Sequence, residues 1–166
     1  RSCSSQQIPA IALKFEDYNS FGKASLADVY STKALEQSLK FQVTNFSNCY
    51  IENTGSNFVF KPFEKLAQIS SVNAIFMDDI NQDGYKDLVF AGNLYGSEVE
   101  TPRNDASYGL YLQGDGKGNF KSYMPYKSGL MTKGDVKKIK GIKFNNEKKG
   151  MLIAKNNDTL QLIKIN

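Results

Sequence analysis

The stretch FMDDINQDGYKDLVFAGN, residues 76–93, sets four aspartates and one asparagine between two apolar runs and closes on a second asparagine. With Asp79 as position 1, Asp79, Asn81, Asp83, Gly84, Tyr85 and Asp87 fall at positions 1, 3, 5, 6, 7 and 9. That is the spacing of a calcium loop: alternating side-chain oxygens curl round a hard cation, glycine permits the sharp turn, and position 7 offers a backbone carbonyl. Oxygen donors without nitrogen or sulfur favour Ca²⁺, with Mg²⁺ or Mn²⁺ behind it. An EF-hand also needs a bidentate glutamate at position 12 and flanking helices, but position 12 is Phe90 and both flanks read as strands. The expectation is one calcium ion in a strand-loop-strand site, held by Asp79, Asn81, Asp83, the Tyr85 carbonyl and Asp87. The plainer alternative is a hairpin loop whose Asp and Asn side chains only make turns. Against it, four carboxylates within ten residues repel one another unless a cation sits among them. A general acid–base pair of Asp78 and Asp79 is disfavoured, because neighbouring strand residues point to opposite faces.

Around this loop the chain has the profile of an ordinary globular protein, 166 residues with 40% hydrophobic and 23% charged side chains. It contains no histidine. That removes Ser-His-Asp and Cys-His nucleophilic machinery, HExxH sites and imidazole metal centres. Cys3 and Cys49 allow one disulfide, but their spacing does not argue for it, and no thiolate zinc cluster can be assembled from two cysteines. No apolar run reaches the roughly 18 residues of a membrane span, and no signal-peptide pattern opens the chain. The chain begins at Arg1 rather than methionine, which reads as processing or as a piece of something longer.

The net charge of +4 divides into +1 over residues 1–70, −3 over 71–130 and +6 over 131–166. The basic segment KGDVKKIKGIKFNNEKKG interleaves lysines with Val136, Ile139, Ile142 and Phe144, as a half-solvated strand requires. Only Arg1 and Arg103 supply the planar fork that suits phosphate, so no nucleic-acid partner is expected.

Short strands separated by Gly, Asn and Asp turns are expected over 8–15, 48–53, 57–63, 71–77, 86–92, 108–113, 119–124, 136–144, 150–155 and 159–165. Residues 25–40 differ, with Leu26, Tyr30, Ala34 and Leu35 at helical spacing behind an S-x-x-D capping arrangement of Ser25 and Asp28. One or two short helices are expected there.

Comparing the chain with itself organises these strands. YIENTGSNF (50–58) realigns with YLQGDGKGNF (111–120), LVFAGN (88–93) with LIAKNN (152–157) and, more weakly, DYNSFGKASL (17–26) with DINQDGYKDL (79–88). The shift of about 60 residues and four strands per unit suit the blade of a β-propeller. The fold class is therefore mainly β: a propeller fragment of about two and a half four-stranded antiparallel blades. Residues 1–166 read as one region with units near 8–63, 71–124 and 135–166. A closed sandwich or barrel of about ten strands is the alternative. In the third unit Lys143 and Met151 replace Asp79 and Asp87, with Asn145 and Glu147 at the positions of Asn81 and Asp83. In the first unit Phe21 and Ser25 replace Asp83 and Asp87, leaving only Asp17 and Asn19. Neither is expected to bind a metal ion.

FMDDINQDGYKDLVFAGN followed by YGLYLQGDGKGNF resembles the FG-GAP or VCBS-type repeat of integrin-like propellers and of bacterial secreted and surface proteins. GNLYGSEVETPRNDASYGLYLQGDGKGNF, SGLMTKGDVKKIKGI and AKNNDTLQLIKI are similar to the C-terminal part of VCBS-repeat proteins that carry an ASPIC/UnbV domain. The resemblance runs from about Ser25 onward. It implies a propeller, calcium in inter-strand loops and an extracytoplasmic setting, whether secreted, periplasmic or on the cell surface. It places the ligands at Asp79, Asn81, Asp83, the Tyr85 carbonyl and Asp87. It names no substrate, and only one unit keeps the ligand set.

Other signals are weaker. GDGKGNF lacks the GK[ST] of a phosphate loop and reads as a hairpin turn. Asn45 and Asn157 head N-x-[ST] sequons. The insert NLYGSEVETPRNDAS (93–107) has the length of a functional loop and is the expected place for a binding role. The expected function is a non-catalytic calcium-binding module of an exported protein that binds protein or carbohydrate, with other blades or further copies of itself as partners. The alternatives are a glycan-active enzyme using Glu98, Glu100 or Asp105 as carboxylates, and a purely structural part of a larger propeller.

Overall fold

The structure is a computed structural model that describes residues 2–145 and 148–165, so the readings that fall on Arg1 and Glu147 lie outside it. The chain divides into two compact units, Arg1–Asn45 and Phe46–Asn166.

The first unit holds five short helices among the described residues: α1 Ser2–Gln7, α2 Ala10–Lys14, α3 Tyr18–Lys23, α4 Leu26–Tyr30 and α5 Thr32–Gln37. The pair α4 and α5 occupies the stretch where helices were expected, and its capping box is formed: the Asp28 amide donates to Ser25 Oγ and the Ser25 amide to the Asp28 carboxylate. The strand expected over 8–15 is instead α2. Pro9, at φ −55°, occupies the N-cap, where its missing N–H costs nothing, and Ala10, Ala12, Leu13 and Lys14 are strong helix formers. A short apolar run does not distinguish strand from helix by its period alone. The weak match of 17–26 to the aspartate loop is likewise a helix. Asp17 caps α3 by accepting from the Ser20 amide at 2.8 Å.

The second unit is built of antiparallel sheets. A hairpin of β1 (Cys49–Asn53) and β2 (Phe58–Pro62) leads through a 3-10 turn at Lys65–Gln68 into a four-stranded meander. Its strands are β3 (Ala74–Asp78), β4 (Asp87–Ala91), β5 (Leu110–Gly114) and β6 (Phe120–Tyr123). One short helix, α6 (Pro125–Ser128), precedes a three-stranded meander of β7 (Val136–Lys143), β8 (Lys149–Lys155) and β9 (Gln161–Lys164). The fold is thus mainly β, with three antiparallel sheets and short helices, and among the described residues the sheets close neither a barrel nor a propeller.

The period of two along β4 explains how the sheets stack. Leu88 and Phe90 join Leu110, Leu112 and Ala67 in one core, with Phe63 and Phe120 packed against it. Val89 and Ala91 point the other way, into a second core with Val136, Ile139, Met151 and Ile153. Every residue of β4 is therefore buried, as the continuous apolar run of a strand covered on both faces requires. Burying a side chain such as Leu112 or Val89 contributes about 2 kcal/mol. Close approach at the second core needs Gly141, where an added Cβ would stand 2.8 Å from the Phe76 ring.

Beyond β4 the chain is tied down by Asn93, which is 1% exposed. Its amide nitrogen donates to the Ser107 carbonyl at 2.9 Å and the Gly134 carbonyl at 3.0 Å. Its amide oxygen accepts from Ser70 Oγ at 2.8 Å and the Ser107 amide at 3.1 Å. One side chain thereby closes the base of the 93–107 insert and fastens it to the segments before β3 and β7.

Candidate functional site

The aspartate loop joins β3 to β4, whose last cross-strand pair is Asp78 opposite Asp87. Two left-handed positions reverse the chain, Gln82 at φ 62° and Gly84 at φ 89°. Between them the polar side chains turn onto the loop's own amides. The Asp79 carboxylate accepts from the Asp83 amide at 3.1 Å and the Gly84 amide at 3.0 Å. Asn81 Oδ1 accepts from the same Asp83 amide at 3.2 Å. Asp83 accepts from the Tyr85 amide at 2.9 Å, from Asn81 Nδ2 at 2.8 Å and from Gln113 Nε2 at 3.2 Å. The Tyr85 backbone amide first, then the Asn81 side-chain amide, hold the Asp83 carboxyl below its ordinary value.

Asp78 and Asp87 share a face at the foot of the loop, where like charges directly opposite would destabilise the pair. The structure separates them. Asp78 takes Lys149 at 2.7 Å and Lys86 at 3.3 Å, and Lys149 foremost lowers its pKa. Asp87 is 0% exposed. One of its oxygens accepts from the Gly114 amide at 2.9 Å. The other accepts from the Ile80 amide at 3.1 Å, the Asn81 amide at 3.4 Å and the Tyr111 hydroxyl at 2.9 Å. Burial first, and the bond to Asp87 second, push the Tyr111 phenol well up, so the hydroxyl stays a donor. Two of the four carboxylates are thus accounted for without a cation. Lysines neutralise one of them, and hydrogen-bond donors enclose another.

Asp79, Asn81 and Asp83 are therefore gathered in one network at the crown of the loop, Tyr85 joins it through its backbone, and Asp87 supports it from beneath. Among the described residues, no three acidic, His or Cys side chains converge as a preformed cage. The crown nonetheless suits a hard cation in donor type, since its groups are carboxylate, amide and carbonyl oxygens. It also suits one in charge, since no lysine or arginine of the described residues pairs with Asp79 or Asp83.

In the third unit, Lys143 ends β7 and Met151 is buried in β8. The GDGKGNF segment is the β5–β6 turn, with Asp115 accepting from the Lys117 amide at 2.7 Å and the Asn119 amide at 3.1 Å. In the 93–107 insert, Arg103 lies 4.5 Å above the Tyr95 ring and pairs with Asp105 at 3.3 Å, while Glu98 and Glu100 are exposed. Both cysteines are free thiols. Tyr111, Gln113 and Asn93 carry no signal of these roles in the sequence. The first two appear in the sequence as ordinary strand residues, and the third as a turn residue.

Comparisons with protein families, characterised proteins and solved structures found no match to this chain.

Proposed function

We propose that the chain is a non-catalytic, calcium-binding module of the FG-GAP/VCBS-repeat type, from an exported or cell-surface protein, that serves to bind a protein or glycan partner. The observation that carries this reading is the crown of the 79–87 loop, where Asp79 and Asp83 share hydrogen bonds without any lysine or arginine partner among the described residues. Asp79, Asn81, Asp83 and the Tyr85 carbonyl would hold one Ca²⁺, and Asp87 would fix the backbone beneath it. The ion would supply the positive charge that the crown lacks and stiffen the turn, which is a structural role. Three successive antiparallel sheets in one unit support the propeller part of the reading. Further blades of a longer chain, or a second copy, would cover the open apolar face of Ile51, Phe58 and Phe60, which are 50%, 67% and 55% exposed. The extracytoplasmic setting rests on the motif resemblance.

Calorimetric titration with Ca²⁺ and Mg²⁺ after chelation tests the proposal. One calcium per chain is expected, with a rise in melting temperature, and both are lost in Asp83→Ala. Absence of binding at millimolar calcium overturns it. Turnover on a polysaccharide panel that Glu98→Gln or Glu100→Gln abolishes would replace it with the enzyme reading.

A further inference from the structure

A cleft of about 540 Å³ opens between the four-stranded and three-stranded sheets and reaches the flank of the loop at Ile80 and Asn81. Its floor is apolar, formed by Val89, Leu130, Met151 and Ile163. One wall carries the rings of Tyr111 and Tyr123, with centroids 5.7 Å apart and planes inclined at 41°. Size and character are those of a small-molecule site: an apolar body with a few placed polar groups.

The polar groups left over after internal hydrogen bonding decide what charge it would take. Tyr111 gives its proton to Asp87 and Tyr123 gives its proton to Gln113 Oε1 at 2.8 Å. Gln113 Nε2 gives one proton to Asp83 and keeps a second. At the rim stands Lys127, which no carboxylate of the described residues neutralises, whereas Lys164 alternates with Ile163 along β9 and turns its ammonium to the Phe144 ring on the other face of the sheet. No acidic residue is among the described residues lining the cleft. Its uncommitted charge is therefore positive and its spare amide is a donor.

We propose that this cleft binds a small organic carboxylate. A ring or short aliphatic body lies on the apolar floor against the two tyrosines, and the carboxylate faces Lys127 and the free Gln113 N–H. An uncharged ligand of the same shape gains the floor but not the ammonium group. The site borders the metal loop at Asn81 and Gln113, but the binding proposed here needs no ion, so its test is made without calcium.

Benzoate is the probe, with benzyl alcohol as its uncharged counterpart, titrated into the whole chain in low-salt buffer and followed by ¹H–¹⁵N spectra. Saturable one-to-one binding with a Kd on the order of 1 mM is expected. Shifts should be concentrated at Tyr111, Tyr123, Leu130 and Ile163, with benzyl alcohol bound about tenfold more weakly. Lys127 is exposed, so the variant Lys127→Gln keeps the fold, as its unchanged spectrum elsewhere would confirm, and weakens benzoate about tenfold. Failure to saturate by about 10 mM, equal binding of benzyl alcohol, or benzoate binding unaffected by Lys127→Gln would each overturn the proposal.

Discussion

Replacing Asp87 by asparagine tests whether the loop is held from below. The side chain is 0% exposed and receives four donors, from Gly114, Ile80, Asn81 and Tyr111. Asparagine has the same shape but a single acceptor oxygen. If that oxygen stays on the Gly114 amide, the new N–H₂ faces the Tyr111 hydroxyl, which can rotate to accept. The Ile80 and Asn81 amides then lose their acceptor. A buried orphaned donor costs roughly 1–3 kcal/mol, and the Asn81 bond is already long, so the sum is about 2–3 kcal/mol. Asp87→Ala orphans all the donors and leaves a small void, for about 4 kcal/mol.

Urea denaturation is the assay, with the midpoint falling while the m-value holds. At roughly 2–4 °C per kcal/mol for a chain of this size, the asparagine variant should melt about 8 °C lower. Tyr111→Phe removes one of the four donors and should cost about 1 kcal/mol. A change below about 0.5 kcal/mol in Asp87→Asn, or equal losses in Asp87→Asn and Tyr111→Phe, would refute the four-donor account.

Asn93→Ala should destabilise by about 3 kcal/mol, because it orphans the Ser107 amide and the Gly134 and Ser107 carbonyls at a buried junction; thermal melting reads it directly. Gly114→Ala should be worse than Gly84→Ala. At Gly114 an added Cβ would lie 2.1 Å from the Lys86 carbonyl, whereas Gly84 has open space and only its φ of 89° to oppose a side chain. Roughly 3 kcal/mol or more against about 1 kcal/mol is expected from paired denaturation curves. The Asp78 carboxyl is held low, chiefly by Lys149. Its stabilising contribution is therefore complete above the unfolded value of about 3.9 and is lost as pH falls through the lower folded value. Lys149→Gln should cost only about 0.5 kcal/mol near neutrality, as half-exposed pairs do, and should flatten the acid limb of stability below about pH 4.

The sheets of the second unit were legible because their pattern is local. The run Leu88–Ala91, apolar at every position, announces a strand covered on both faces. The Gly-rich turn at 114–118 and the lysine alternation of β7 place the hairpins. The helix at 10–14 was not legible, because an apolar run of that length carries no distinguishing period and Pro9 before it suits the first residue of a strand as well as the start of a helix. In the loop, spacing alone brought Asp79, Asn81 and Asp83 together. It did not separate Asp78 from Asp87, which are partners across the ladder and differ only in what the next strands bring to them: Lys149 from β8 for one, Tyr111 and Gly114 from β5 for the other. Those neighbours lie 24 or more residues away in sequence, beyond the reach of any motif.

The same long-range contacts connect the loop to the cleft. Gln113 bonds Asp83 with one end of its amide and Tyr123 with the other, and Tyr111 reaches Asp87 from the cleft wall. A cation seated on the crown would compete with Gln113 for Asp83 Oδ2 and so release an amide proton toward the cleft, where the proposed carboxylate would use it. Each ligand would then favour the other, and by linkage the two enhancements must be equal. A two- to fivefold tightening of benzoate by saturating calcium, matched by the same factor for calcium in benzoate, is the expected size for one hydrogen bond of about 0.5–1 kcal/mol. Gln113→Leu should leave calcium binding intact and remove the coupling. If it persisted in that variant, the amide would not be the connection.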